Sequence, residues 1–363
     1  MRIALVSTPW VAVPPRAYGG TEGMLDSLAR ALAAAGHEVL LYATGDSTCP
    51  VPKAWTYAEP VTPMGWVTSE IKHIRGAYEV LQGFDVVHDH TMLGPLYAAR
   101  FPALPLVTTS HNPFTSETRP IYRQIGERAA LVAVSQDQRS RAGEVPIARV
   151  IHHGIHAADF PVGSGDGGFL LFLGRMSPDK GVHHTIEVAL ATGLPLTIAG
   201  KMREPDEQEY FRQRIEPALG PEIQYVGEVT RSERAELLAT ALALVNPLCW
   251  PEPFGLVMIE AMACGTPVIA LSAGAAPEIV DDGKTGFVCR SIGELVEGER
   301  QLETLDRQEC RRVVEERFSA ERMAAEYADL YAEVVAAWPD HVRTKESASS
   351  PMNMSPPVVR LTP

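Results

Sequence analysis

Short, largely apolar runs that alternate with helical segments constrain this chain more than any other feature. They fall at 3–6, 37–43, 85–88, 106–110, 131–135 and 150–152, and again at 169–174, 195–199, 223–226, 241–245 and 267–271. Runs this short fit strands better than helices, and strands covered on both faces read as near-continuous apolar text. Helical segments between them imply crossover connections, hence parallel sheets in an α/β fold of the doubly wound kind. A chain of 363 residues is too long for one small domain, and two domains are the natural expectation. The text at 157–168, rich in Asp, Pro, Ser and Gly, reads as a linker. It divides the chain into an amino-terminal unit, 1–160, and a carboxyl-terminal unit, 161–318.

The stretch from Asn246 to Thr266 is the most informative one. An apolar run at 241–245 reads as a buried parallel strand and ends in a Pro-broken loop carrying Glu252. A helix opens near Gly255, with Leu256, Ile259, Met262 and Ala263 as its apolar stripe. Strand, loop and helix in that order place unpaired first-turn amides at the carboxyl end of a strand, where phosphates and other anions bind. Glu252 and Glu260 lie roughly 8 Å apart along such an axis, a spacing that could hold the two ends of a nucleotide-sugar.

Composition excludes several classes of function. A net charge of −13 argues against general affinity for nucleic acid or anionic lipid. Five scattered cysteines without a C-x-x-C pair read as reduced thiols of a cytoplasmic protein. The amino terminus reads as a first strand rather than a signal peptide. No run approaches the ~20 apolar residues of a membrane span, so no integral membrane association is expected.

Along the chain, a βαβ opening carries Gly19-Gly20 before a helix at 21–35 but lacks Gly-x-Gly-x-x-Gly, which weighs against dinucleotide binding. Three strands end in polar clusters: His88-Asp89-His90, Ser110-His111-Asn112 and His152-His153-Gly154. Alternation lets His88 and His90 share a face that Asp89 cannot, so strand-end hydrogen bonding is favoured over a metal site. After the strand at 169–174, Arg175 and Lys180 stand five residues apart ahead of a helix near Gly181, a compact anion cradle. Helices are expected at 207–219, 231–240, 292–302 and 307–318, and a last one at 319–338. Turns are expected around Gly274-Ala275-Ala276-Pro277-Glu278 and 282–287, with Glu278 fixing loop geometry. The Ser/Pro/Met-rich text at 344–363 reads as a disordered tail.

Glu252-Pro253-Phe254-Gly255-Leu256 with Glu260 resembles the Glu-x7-Glu motif of the family-4 retaining glycosyltransferases. The likeness extends over roughly 1–338. It implies the GT-B fold, two Rossmann-like doubly wound domains facing a cleft, with the last helix crossing back onto the first domain. It also implies a nucleotide-sugar donor bound by the second domain and an acceptor bound by the first. Arg175 and Lys180 match the diphosphate ligands, and Gly19 and Gly20 match a glycine loop near the phosphates. The backbone of Gly227, Glu228 and Val229 would face the base. Phe254, Gly255 and Leu256 would lie at the donor, Glu260 on the ribose, and Glu252 and His111 beside the transferred sugar. Asn112 follows His111 where the family often has Asp, and Ala275 replaces a second glycine.

The activity this implies is hexosyl transfer with retention, with UDP-glucose as the default donor and GDP-mannose or UDP-N-acetylglucosamine open. The acceptor would be a small soluble molecule or saccharide. Fixed cations and the lack of an Asp-x-Asp motif suggest a metal-independent enzyme without a cofactor. A front-face reaction is favoured over a covalent intermediate. A sugar-nucleotide epimerase, a phosphorylase or a non-catalytic sugar-nucleotide binder would share the architecture.

Overall fold

The computed structural model describes residues 1–338; the tail expected at 344–363 lies outside the described residues. Among the described residues, thirteen strands form two parallel sheets. The first holds β1 (Arg2–Val6), β2 (Glu38–Tyr42), β3 (Lys53–Ala54), β4 (Val86–Asp89), β5 (Leu106–Thr109), β6 (Ala130–Ala133) and β7 (Arg149–Val150) in the order β3-β2-β1-β4-β5-β6-β7. The second holds β8 (Leu170–Arg175), β9 (Leu196–Lys201), β10 (Ile223–Gly227), β11 (Ala243–Asn246), β12 (Val268–Leu271) and β13 (Gly286–Cys289) in the order β10-β9-β8-β11-β12-β13.

Strand alternation explains how both faces of each sheet are covered. In β1 and β2, Ile3, Leu5, Val39 and Leu41 pack with Leu25 and Leu28 of the helix Gly20–Ala34. Their neighbours Ala4, Val6, Leu40 and Tyr42 face Ile74 and Tyr78 of the helix Val67–Val80 on the other side. The second sheet repeats this pattern. Leu171, Leu173 and Leu244 meet the helices Leu256–Ala263 and Arg307–Arg317, while Leu170, Phe172 and Val245 meet Val182–Thr192. A one-residue slip in any of these strands would swap its two faces.

The helix Ala320–Ala337 leaves the second half and packs on the first, where Met323, Tyr327, Leu330 and Tyr331 are buried with Ile3 and Leu28. Tyr331 Oη meets His88 Nδ1 at 2.7 Å, and Tyr327 Oη meets Thr109 Oγ1 at 2.8 Å. The stretch 157–168 does not hang free. Gly163 and Gly167 donate backbone bonds to Cys264 and Thr240, and the Arg307 guanidinium grips the Gly163 carbonyl at 3.0 Å.

The structure corrects several sequence expectations. β3 and β13 were not foreseen; β13 occupies part of the stretch expected to be a turn. The helix expected at 207–219 begins at Pro205, ends at Tyr210, and continues as a wider turn at Phe211–Ile215. Pro217 follows, and it lacks the amide proton that a continued helix would need there. The helix expected to reach 302 ends at Glu299. Among the described residues, no helix is long and apolar enough to cross a membrane.

Candidate active site

Each sheet reverses its winding at one point, β1/β4 in the first and β8/β11 in the second. Open α/β sheets leave a crevice at the carboxyl ends of such strands. The chain spends its polar residues there: β8 ends at Arg175, β11 at Asn246 before Glu252, and β4 runs into His90. Between the halves lies a cleft of about 630 Å³.

On the carboxyl-terminal side, cations converge but are held by carboxylates. Arg175 bonds Asp179 at 3.0 Å and lies 3.9 Å from Glu207. Lys201 is its register partner across β8 and β9 and lies 3.7 Å from the same Glu207. Arg175 Nε is buried without a hydrogen-bond partner. Lys180 pairs with Glu252, both largely buried, and its ammonium lies 5.2 Å from the centre of the Trp250 ring. An entering anion would therefore find the cations already oriented.

The helix Leu256–Ala263 has no side-chain cap; its N-cap, Gly255, is left-handed at φ 95°. Gly255, Leu256 and Val257 line the cleft, so the open helix mouth faces it. The Glu252 loop is braced from behind. The Ala275 amide donates to the Glu252 carbonyl at 3.1 Å, and a Cβ on Gly274, itself at φ 56°, would stand 2.2 Å from that carbonyl oxygen. Ala275, where a second glycine is common, has an ordinary right-handed backbone and loses nothing. Glu260 is buried 3.3 Å from Arg234. Burial raises its carboxyl above the ordinary range, opposed by Arg234 and Arg231.

Contacts also cross between the halves. Glu228 accepts from the Arg203 guanidinium at 2.7 Å and from the Tyr18 amide at 3.1 Å, which ties the Gly19–Gly20 loop to the other wall. Leu256 packs against the cores of both halves. Glu278 accepts from the amides of Gln136 and Asp137 at 2.8 and 2.7 Å and meets His152 at 2.8 Å. Desolvation raises the Glu278 carboxyl, but these hydrogen bonds outweigh it and leave it below the ordinary range. Asp159 receives Arg30 of the first half at 2.7 Å and Arg231 of the second at 2.6 Å.

The amino-terminal wall carries a file of imidazoles. His88 and His90 share a face, with ring centres 4.0 Å apart, while Asp89 turns away to accept from Tyr78 and Thr91. Both nitrogens of His88 are occupied, by Tyr331 and Thr109. His90 Nδ1 meets His111 Nε2 at 2.9 Å, and His111 stacks on His153 with centres 5.4 Å apart. Burial pushes His111 down to about 4 and His88, His90 and His153 well below the usual histidine range. A neutral His111 can share a hydrogen bond with a hydroxyl but brings no fixed charge to it.

All the site residues expected from sequence line this cleft except Gly227, which lies just behind Glu228 at the end of β10. Phe254 lines it at the edge of a ring cluster, its centre 5.0 Å from that of His153. Sequence reasoning gave no site role to Lys201, Arg203, Arg234, Tyr18, Glu22 or His153, all of which line the cleft. Lys201 left a usable signal, a cation at the end of the strand beside Arg175. Arg234 left none, because its helix reaches the cleft only through packing.

Two family profiles match the chain, "Glycosyltransferase Family 4" over residues 18–159 and "Glycosyl transferases group 1" over 159–317. The glycogen synthase of Mycobacterium tuberculosis is 29% identical, over 83% of this chain and 86% of its own length. A phosphatidyl-myo-inositol mannosyltransferase of Propionibacterium freudenreichii is 27% identical, over 83% of this chain and 85% of its own. Among solved structures, the glycosyltransferase AviGT4, involved in avilamycin A biosynthesis, superposes with a TM-score of 0.70 at 27% identity, covering 93% of this chain and 99% of that one. Sucrose-phosphate synthase of Thermosynechococcus elongatus gives 0.77 at 22%, covering 92% and 99%. With the two profiles spanning 18–317 and both halves built as parallel α/β sheets, the chain belongs to the family-4 glycosyltransferases and has their GT-B architecture.

Proposed function

We propose that this glycosyltransferase moves a hexose, with retention, from a nucleoside diphosphate sugar to an acceptor hydroxyl. The carboxyl-terminal half holds the donor and the amino-terminal half the acceptor. One observation carries the reading: Arg175, Lys180 and the uncapped mouth of Leu256–Ala263 converge where β8 and β11 diverge. Charge grows on the diphosphate as the glycosidic bond breaks, and fixed cations and amides stabilise charge of that kind without reorganising. In the free enzyme Lys180 is spent on Glu252. When the diphosphate takes Lys180, Glu252 is released toward the hydroxyls and the developing positive charge of the sugar.

Glu260 receives the ribose hydroxyls, with Arg234 holding its carboxylate in place. The backbone beside Glu228 and Val229 faces the base. Gly19 and Gly20, tied across the cleft through Tyr18, let the amino-terminal backbone close over the phosphates. His111 shares a hydrogen bond with the transferred sugar. In the front-face step, the acceptor oxygen bonds the anomeric carbon on the face from which phosphate leaves, and the departing oxygen takes the acceptor's proton. A trapped glycosyl adduct on Glu252 would exclude this route. UDP-glucose is the donor to try first. The fixed cations carry the charge stabilisation, so chelators leave activity intact.

Titration calorimetry with UDP, GDP and ADP tests the donor reading. At least one binds with micromolar or better affinity, and Arg175→Ala with Lys180→Ala abolishes the heat. Undiminished binding in that double variant would refute the assignment.

A further inference from the structure

The two walls of the cleft differ in charge. The lysines and arginines that line it, Arg175, Lys180, Lys201, Arg203 and Arg234, all come from the carboxyl-terminal half. The amino-terminal wall contributes Glu22 and Glu70 and no lysine or arginine. Its histidines, His90, His111 and His153, are kept uncharged by burial, and burial also raises the carboxyls of Glu22 and Glu70.

The same wall also carries large apolar side chains. Trp10, Val11, Met64 and Met92 line it. Beside Met64, Trp66 precedes the helix Val67–Val80, and Val67 and Ile71 stand one turn apart on that helix. Met64, Trp66, Val67 and Ile71 are 58%, 57%, 55% and 48% exposed. They are four of the eight large apolar side chains exposed among the described residues, gathered into eight consecutive positions. Scattered exposed apolar residues need no explanation, whereas a group continuous with a ligand cleft does. Met64 belongs to both the group and the cleft wall.

We propose that this surface binds the acceptor, and that the acceptor is an uncharged molecule without phosphate, with an apolar body. Its hydroxyl lies near His111, while its apolar part runs outward over Trp10, Met64 and Trp66. The inference rests on the donor reading above, because the cationic wall must be taken by the donor for this wall to be left to the acceptor. A phosphorylated acceptor would meet two carboxyls and no cation, and an anion desolvated without a partner is costly. Glu22 and Glu70, held toward their protonated forms, instead suit hydrogen bonds to hydroxyls. An anionic bilayer fits poorly: Lys72 and Arg75 beside the patch are offset by Glu70 and Glu79, and the chain as a whole carries −13.

The test uses the full chain saturated with whichever of UDP, GDP and ADP binds, and a series of alkyl β-glucosides, methyl to octyl, below their micellar concentrations. Glucose 6-phosphate serves as the charged probe, and affinities are read by calorimetry. Burying a methylene is worth ~0.8 kcal/mol, so affinity rises up to about fourfold per added methylene until the tail outruns the patch. Met64→Ser with Trp66→Ser flattens that slope while nucleotide binding and the melting temperature stay unchanged, as expected of exposed side chains. Glucose 6-phosphate binds no better than methyl glucoside. A flat slope in the wild type, an unchanged slope in the double variant, or preference for the phosphorylated probe overturns the proposal. So does sedimentation with phosphatidylglycerol vesicles that is lost in the double variant, which would give the patch to a membrane. Failure of the donor reading is seen separately, when none of UDP, GDP and ADP binds.

Discussion

Arg175 and Glu252 show how little a residue type says without its partners. Each looks like a free charge in the sequence, yet each is paired in the folded chain, Arg175 with Asp179 and Glu252 with Lys180. On the proposed donor site, replacing Arg175 by alanine removes one stabiliser of the leaving group, and the expected result is a kcat lower by about a hundredfold, or ~3 kcal/mol. Steady-state kinetics with saturating donor measures it. His111 carries a pH prediction. Its folded pKa of about 4 lies below the unfolded value, so between the two the unfolded chain binds more protons. His73, buried beside the Ser7 carbonyl and also lowered to about 4, acts in the same direction. The stability these two neutral rings contribute is complete above about 6.5 and is lost as pH falls toward 4. Asp89, raised by burial to about 6, opposes them in part, since its protonated form is favoured by folding below that pH. Thermal melts of the wild type fall in Tm between pH 6.5 and 4. Replacing His73 by Gln makes that fall shallower.

At the scale of elements, the strand-and-helix text was readable because burial on both faces leaves apolar runs in the sequence. β3 and β13 were missed for the converse reason. β3 has two residues, and β13 is an edge strand whose Phe287 and Val288 are only partly buried. Loop conformation was partly legible. Gly274 stood out as a turn residue, but only the fold shows that its Cα lies against the Glu252 backbone. Gly274→Ala costs about 1–2 kcal/mol if the residue keeps its left-handed backbone, and its Cβ must in addition push the Glu252 loop away. The expected result is a fall in kcat of tenfold or more with a smaller effect on UDP affinity, because Arg175 and Lys201 are not displaced. Kinetics beside calorimetry of the same variant separates the two. Glu278, expected to fix loop geometry, reaches across to cap Gln136–Ser140 of the other half.

For the whole molecule, the contacts that set one half against the other come from widely separated parts of the chain. Asp159 stands where the chain passes between the sheets and holds Arg30 and Arg231 together. Asp159→Asn removes the nearer of the two carboxylates these cations share, leaving Asp26 at 3.4 Å from Arg30 and 4.0 Å from Arg231. It increases the radius of gyration in small-angle scattering of the UDP-bound protein and lowers kcat/KM more than UDP affinity. Identical scattering curves for the variant and wild type would rule out a role in closure.

The order of amino acids was enough to settle the class of fold, the succession of most strands and the family. Periodic burial and strand-end chemistry are local, and local rules leave local traces. It also marked Arg175, Lys180 and Glu252, because they lie in or just after strand ends, and Glu260, on the helix that follows the Glu252 loop. Folding alone established that Lys180 is held by Glu252, that a file of histidines runs behind His111, and that all the cleft's lysines and arginines stand on one wall. Those facts depend on which distant segments meet when two sheets face each other, and contact between distant segments writes no pattern along the chain.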